Sequence, residues 1–362
     1  MTRRPDTTAL VAMTALGGHR VPPKVCTGDR VAVLSPSWAG PGAFPAVHEL
    51  GMRVLRDVLG LVPVEYPTTR LVDAAPAQRA ADLMAAFADS TIRAVLASIG
   101  GDDQITVLPH LSRDVFTADP KPFVGYSDNT NLLNWLWNLG IVGYHGGSTM
   151  VHLARPGGTH PVSLNSLRHA LFTHDTVEIR PLTEFTDIHP EWSSPETLMA
   201  PLPTTIDNGW VWHNADRVVT GPTWGGNLEI LHWNLAANRW IRPVSDYAGC
   251  VLLLETSEEM PTAEEVFRML RNAGERGLLE QFPAIVVAKP KAWNLDHPLT
   301  EPERAAFRHE QYRAVLRATE AYNPRAMVVL GPDFGHTDPQ YVLPYGGPMT
   351  IDGPNRRITT TY

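Results

Sequence analysis

Gly125-Tyr126-Ser127-Asp128-Asn129 places a serine where an apolar strand ends and a helix begins. A turn of this kind exposes the hydroxyl and aims the first free N–H groups of the helix at any oxyanion forming beside it. The lipase-type pattern GxSxG is not met, because Asn129 stands where the second glycine would be, and a serine here also serves as a plain helix cap. A nucleophilic serine needs a base, and the base needs an orienting carboxylate. Glu255 ends the apolar run CVLLLE, with Glu258 and Glu259 close behind as alternatives, and His336 lies in a glycine-rich turn directly after AMVVL. Each has an ordinary reading as well: a carboxylate in the first turn of a helix, a solvated loop histidine. What joins them to Ser127 is their shared position just beyond the end of a strand.

Other turns are weaker. Gly100-Gly101-Asp102-Asp103 precedes a helical stretch and can donate a backbone N–H to an oxyanion. Gly225-Gly226-Asn227 opens another but lacks the Lys-Ser/Thr of a phosphate loop. His145-Gly146-Gly147 is patterned like a lipase oxyanion loop but follows the serine instead of preceding it. Asn227 and the Ser35–Trp38 loop, Ser37 included, are candidates for substrate contact. There is no HExxH or similar spacing, so neither a metal nor a cofactor is expected. The ten tryptophans exceed the needs of a core. Trp192, Trp210 and Trp212 fall in a stretch dense in Pro, Ser and Thr.

The elements that must position these residues alternate through the first half. Strands are expected at 30–34, 62–66, 94–99, 122–126 and 141–144, with helices at 44–59, 77–88, 104–111 and 129–139. Such alternation gives a parallel sheet covered on both faces, with ligands at the carboxyl ends of its strands. The rhythm is lost from about 155 to 218. It restarts with a helix at 222–236, strands at 250–255, 284–288 and 326–330, and helices at 263–273 and 301–318. The expected fold class is α/β: a flavodoxin/Rossmann-like parallel-sheet domain at 29–175, a linker and Trp-rich substrate loop at 176–217, and a smaller C-terminal α/β domain at 218–362. Residues 1–28 are expected to be a flexible extension.

Composition excludes several classes. The 362 residues carry 38 Asp+Glu against 30 Lys+Arg, a net charge of −8, which gives no basic surface for a nucleic-acid polymer. Two distant cysteines form no disulfide framework, which fits a reducing compartment. No apolar run reaches the 18 or so residues of a membrane helix.

Taken together, the motifs resemble the S66 peptidases, the LD-carboxypeptidase family. The segments are SPS at 35–37, SIGGDDQITVLPHL at 98–111, KPFVGYSDNTNLL at 121–133, GPTWGGNLEIL at 221–231, LLLETSEE at 252–259 and GHTDPQYVLPYGG at 335–347. The resemblance implies Ser127 as nucleophile, His336 as base and Glu255 as its orienting carboxylate, with an oxyanion hole from the N–H groups of Gly101 and Asp128. It also implies a cytoplasmic homodimer. The long Trp-rich insert is similar to the microcin C immunity branch of the family, which cleaves aminoacyl- or peptidyl-nucleotides. In that branch an inserted aromatic stacks on the base; Trp192 is the first choice here, with Trp210 and Trp212 behind it. A muropeptide LD-carboxypeptidase is the alternative, and a non-catalytic ligand-binding protein on the same scaffold is the third reading.

Overall fold

The computed structural model describes residues 18–189, 191–194 and 198–362. Most of the extension expected at 1–28 and part of the Trp-rich segment lie outside them. The strands in chain order are β1 (Arg30–Leu34), β2 (Val62–Glu65), β3 (Ile92–Ala97), β4 (Phe123–Gly125), β5 (Gly143–His145), β6 (Thr176–Ile179), β7 (Glu184–Phe185), β8 (Thr205–Ile206), β9 (Val211–His213), β10 (Val218–Asn227), β11 (Val251–Glu255), β12 (Ala284–Val287), β13 (Met327–Leu330), β14 (Leu343–Tyr345), β15 (Pro348–Asp352) and β16 (Arg357–Thr361).

The first sheet has the order β14-β5-β4-β3-β1-β2. Its five N-terminal strands are parallel, and β14 joins antiparallel to β5 from the far end of the chain. The interior strands are short apolar runs such as AVLA within β3, as expected for a sheet covered on both faces. The second sheet has the order β6-β16-β15-β10-β11-β12-β13-β9. Its centre, β10 to β13, is parallel and its flanks are antiparallel. This sheet has eight strands against six, and two of them, β6 and β9, come from the stretch before 218.

The two layers meet at polar as well as apolar contacts. Trp224 on β10 is buried and donates its indole N–H to Asn134 Oδ1 at 2.9 Å, on the helix Thr130–Asn138 that follows Ser127. Asn234 donates to Asn131 Oδ1 at 3.0 Å from the helix Leu228–Ala237. The serine helix is therefore bolted to the sheet that carries Glu255.

Three expected elements differ. The helix expected at 104–111 is two 3-10 turns, Gln104–Thr106 and Leu108–His110. Pro109 supplies no N–H for the bond back to Ile105 that a continuous helix would need. The helix expected at 222–236 begins only at Leu228, because Pro222–Asn227 continues strand β10. Gly225 shows why: at φ +131° its position leaves no room for a Cβ, which would sit 2.0 Å from the Leu253 carbonyl oxygen of the neighbouring strand. Finally, the stretch that loses its rhythm near 155 contains a regular helix, Pro161–Phe172, started by Pro161 and by the His160 ring accepting the Val162 N–H.

Candidate active site

Ser127 sits at the tip of β4, before the helix Thr130–Asn138. Its φ is +61°, the left-handed region that a non-glycine residue occupies at a cost of about 1–3 kcal/mol. This bend lifts the hydroxyl out of the sheet, and Ser127 is half-buried between buried Tyr126 and Asp128. Gly100 makes room for it: a Cβ there would lie 2.8 Å from the Ser127 Oγ. The turn is secured from below by Asp128, fully buried, whose carboxylate accepts from the Ser37 hydroxyl, the Gln104 N–H at 2.9 Å and Asn131 Nδ2 at 2.8 Å. Burial pushes the Asp128 carboxyl up to about 6 despite these donors. Among the described residues no acceptor takes the N–H of Gly101 or of Asp128.

Glu255 ends β11, with its side chain fully buried, and His336 lies in the loop after β13. His336 Nδ1 and Glu255 Oε2 are 2.5 Å apart. Glu255 Oε1 has His145 Nε2 at 3.8 Å. Of the three carboxylates the sequence leaves open, Glu255 is the one on Nδ1. Burial alone would raise the Glu255 carboxyl, yet the facing His336 charge holds it below the usual carboxylate range. Burial likewise opposes a charged His336, and Glu255 overcomes it, with Glu258 and Glu229 adding to the upward pull. The loop is pinned by Gln340, whose amide donates to the Gly335 carbonyl at 2.7 Å.

Ser127 and His336 line one cavity of about 640 Å³ between the two sheets. Among the described residues the Ser127 hydroxyl has no hydrogen-bond partner. His336 Nε2, the nitrogen left free by Glu255, has Glu258 Oε2 at 3.3 Å. The His336 ring is also packed on Tyr126, with centroids 4.8 Å apart.

Of the expected substrate contacts, Trp192 lies on the cavity wall, as does Gly101, expected as an oxyanion donor. Trp192 stands edge-on to Phe44 at 5.4 Å, which in turn meets Trp38 at 6.1 Å, giving an aromatic wall. Trp210 and Trp212 do not line the cavity. Trp212 is in β9, paired with Val329 at the edge of the second sheet, and both rings pack on that sheet's core. Asn227 is also away from the wall: its Oδ1 caps the helix Leu228–Ala237 by accepting the Ile230 N–H at 3.0 Å. Ser37 is buried under the turn, where its hydroxyl donates to the Asp128 carboxylate.

The sequence reading missed Lys291 and Trp293, both on the wall. They follow the end of β12, so the rule that ligands gather at strand ends would have found them. Lys291 is buried, donates to the Asp187 carbonyl at 2.7 Å, and is pulled down to about 8 by burial. Among the described residues no group of three or more His, Cys, Asp or Glu side chains is arranged to hold a metal ion. No helix among them is long and apolar enough to cross a membrane.

The profile of the LD-carboxypeptidase N-terminal domain of the S66 peptidases matches residues 31–146, and that of the C-terminal domain matches 220–351. The Microcin C7 self-immunity protein MccF of Escherichia coli is 25% identical over 284 residues, 75% of this chain and 74% of that protein. Among solved structures, an MccF-like protein from Streptococcus pneumoniae in complex with AMP superposes with a TM-score of 0.81 at 26% identity, covering 92% of this chain and 99% of that one. MccF in complex with aspartyl sulfamoyl adenosine superposes with a TM-score of 0.78 at 22% identity, covering 94% and 98%. A paired match of both domain profiles, in order and across the cavity that holds Ser127 and His336, settles the relationship: the chain belongs to the S66 peptidase, or LD-carboxypeptidase, family and has MccF-like proteins as its neighbours.

Proposed function

We propose that the protein is a serine amidase that cleaves the amide between a C-terminal aminoacyl or peptidyl group and a nucleotide-like group, in the manner of a self-immunity enzyme. The observation that carries this reading is the 2.5 Å Glu255–His336 pair opening onto the cavity that also holds the unbonded hydroxyl of Ser127. In this mechanism Nε2 of His336 takes the proton of Ser127, and Oγ adds to the scissile carbonyl carbon. Glu255 holds the ring through Nδ1 and stabilises the imidazolium. The N–H groups of Gly101 and Asp128 receive the oxyanion; removing such a donor costs about 3–4 kcal/mol. The imidazolium then gives its proton to the leaving nitrogen as the C–N bond breaks. Water, deprotonated by His336, adds to the Ser127 ester, and collapse releases the carboxylate and restores the serine.

The aromatic wall supports the nucleotide part of the reading. Stacking of a base on Trp192 is worth about 1–3 kcal/mol, enough to favour nucleotide-like leaving groups. AMP and aspartyl sulfamoyl adenosine in the neighbouring structures agree with it. The family's LD-carboxypeptidase name favours the second reading, a muropeptide tetrapeptide as substrate. Incubating the protein separately with aspartyl sulfamoyl adenosine and with a murein tetrapeptide, and weighing the products, decides. Release of aspartate from the first alone supports our reading; release of the terminal D-residue from the second alone replaces it. A cytoplasmic homodimer belongs to the same proposal, and sedimentation of the purified protein as a species of twice the chain mass in the ultracentrifuge is the outcome expected for the dimer.

A further inference from the structure

His336 is faced by a carboxylate at each nitrogen: Glu255 Oε2 at 2.5 Å from Nδ1 and Glu258 Oε2 at 3.3 Å from Nε2. One carboxylate is hydrogen-bonded to the ring and the other lies in ion-pair contact with it, and two negative charges at its two nitrogens favour the doubly protonated imidazolium. That ring has no lone pair for the Ser127 proton. We propose that Glu258 is a positioning residue that gates the base: its charge beside Nε2 favours the imidazolium of His336, and Ser127 gains its base only once Glu258 swings out. The inference rests on the Ser127–His336–Glu255 reading and adds a control to it.

The two carboxylates are built for different tasks. Glu255 ends a strand, and its side chain is fully buried and cannot leave. Glu258 is in the loop beyond, with its side chain 59% exposed, so it has open solvent to turn into. Its main chain is held, since the Glu258 carbonyl accepts Asn294 Nδ2 at 2.8 Å; only the side chain needs to move. Glu258 also lines the cavity, where an incoming substrate reaches it. Lys291, buried on the same wall, is the cation that attracts Glu258, and it and the other groups around His336 do not take this role. Glu229 acts on it at a distance from the next helix, and its Oε1 is occupied by Ser257. His189 is hydrogen-bonded to the His336 main chain, and burial keeps it and His152 far below the usual histidine range, so both are neutral. The Tyr126 ring packs on the imidazole, and burial drives its phenol up, so it too brings no charge.

The consequence is a pH signature. kcat/KM reports groups of the free enzyme, and kcat those of the substrate complex. The acid limb of kcat/KM therefore lies above that of kcat, because Glu258 holds the imidazolium in the first state and not in the second. In Glu258→Gln the two limbs converge, and the kcat/KM limb falls by about one pH unit, a roughly tenfold gain in kcat/KM below it. Glu258→Asp keeps part of the separation. Glu259→Gln, which removes the adjacent cavity carboxylate, moves the limb by less than half as much. A limb in Glu258→Gln within about 0.2 units of the parent, or one moved equally by Glu259→Gln, overturns the gate.

A second measurement is independent of turnover. On the Ser127→Ala background, the His336 ring is titrated by nitrogen-15 NMR with and without Glu258→Gln. The midpoint drops by about one unit if the gate exists and stays put if it does not. Normal turnover by Ser127→Ala would instead defeat the peptidase reading while leaving this titration to judge Glu258 by itself.

Discussion

On the first sheet, Ser127 is held by the main chain: a left-handed φ of +61°, a glycine at 100 that clears its path, and a buried Asp128 that ties the turn from beneath. On the second sheet, His336 is held by charge: a buried carboxylate on Nδ1 and an exposed one on Nε2. The serine side is set by geometry and responds to added volume. The histidine side is set by electrostatics and responds to pH and to loss of a carboxylate. The cleft joins a half held by backbone geometry to a half held by an ion pair.

Substitutions aimed at each half test the contrast. Glu255→Gln strikes the charge-held side hardest. The amide no longer stabilises an imidazolium and favours the wrong tautomer, so kcat falls about 10³–10⁴-fold with the fold retained, measured by steady-state kinetics and far-UV circular dichroism. Gly100→Ala strikes the geometry-held side. A methyl 2.8 Å from Ser127 Oγ displaces the hydroxyl, and kcat falls about 100-fold while the pH profile keeps its shape. A changed limb in that variant, or an unchanged one in Glu255→Gln, breaks the comparison.

The tryptophans give a smaller and more divided effect. Trp192→Ala raises KM for a nucleotide-like substrate about tenfold with little change in kcat. Trp212→Ala leaves KM alone and costs about 1–3 kcal/mol of stability, read by denaturant titration. The smallest effect is on stability against pH. The His336 pKa is raised in the folded state by Glu255, so the pair's stabilisation is fully present below the unfolded value near 6.5 and is lost as pH rises through the folded value. Melting temperature should decline across that alkaline window, and the decline should vanish in Glu255→Gln.

Much of this was legible in the sequence because parallel sheets announce both themselves and their ligand ends. Ser127, Glu255 and His336 stand out as polar residues directly after apolar runs, and the structure puts Ser127 and His336 on one cavity, with Glu255 behind. What was not legible depended on partners distant in sequence. Asn227 reads as an exposed polar residue after two glycines, yet strand β10 extends through it and turns it into a helix cap. Ser37 reads as a loop contact, but its hydroxyl is taken by Asp128, 91 positions away. Trp210 and Trp212 share the composition of Trp192 but fold onto the edge of the second sheet, because β9 pairs with β13, more than a hundred residues on. No local pattern marks that pairing.

The account rests on Ser127 as the nucleophile of the cavity, and single-turnover hydrolysis by Ser127→Ala tests it most directly. With aspartyl sulfamoyl adenosine as substrate, cleavage falls roughly 10⁶-fold at an unchanged melting temperature. Cleavage within tenfold of the parent protein would contradict it.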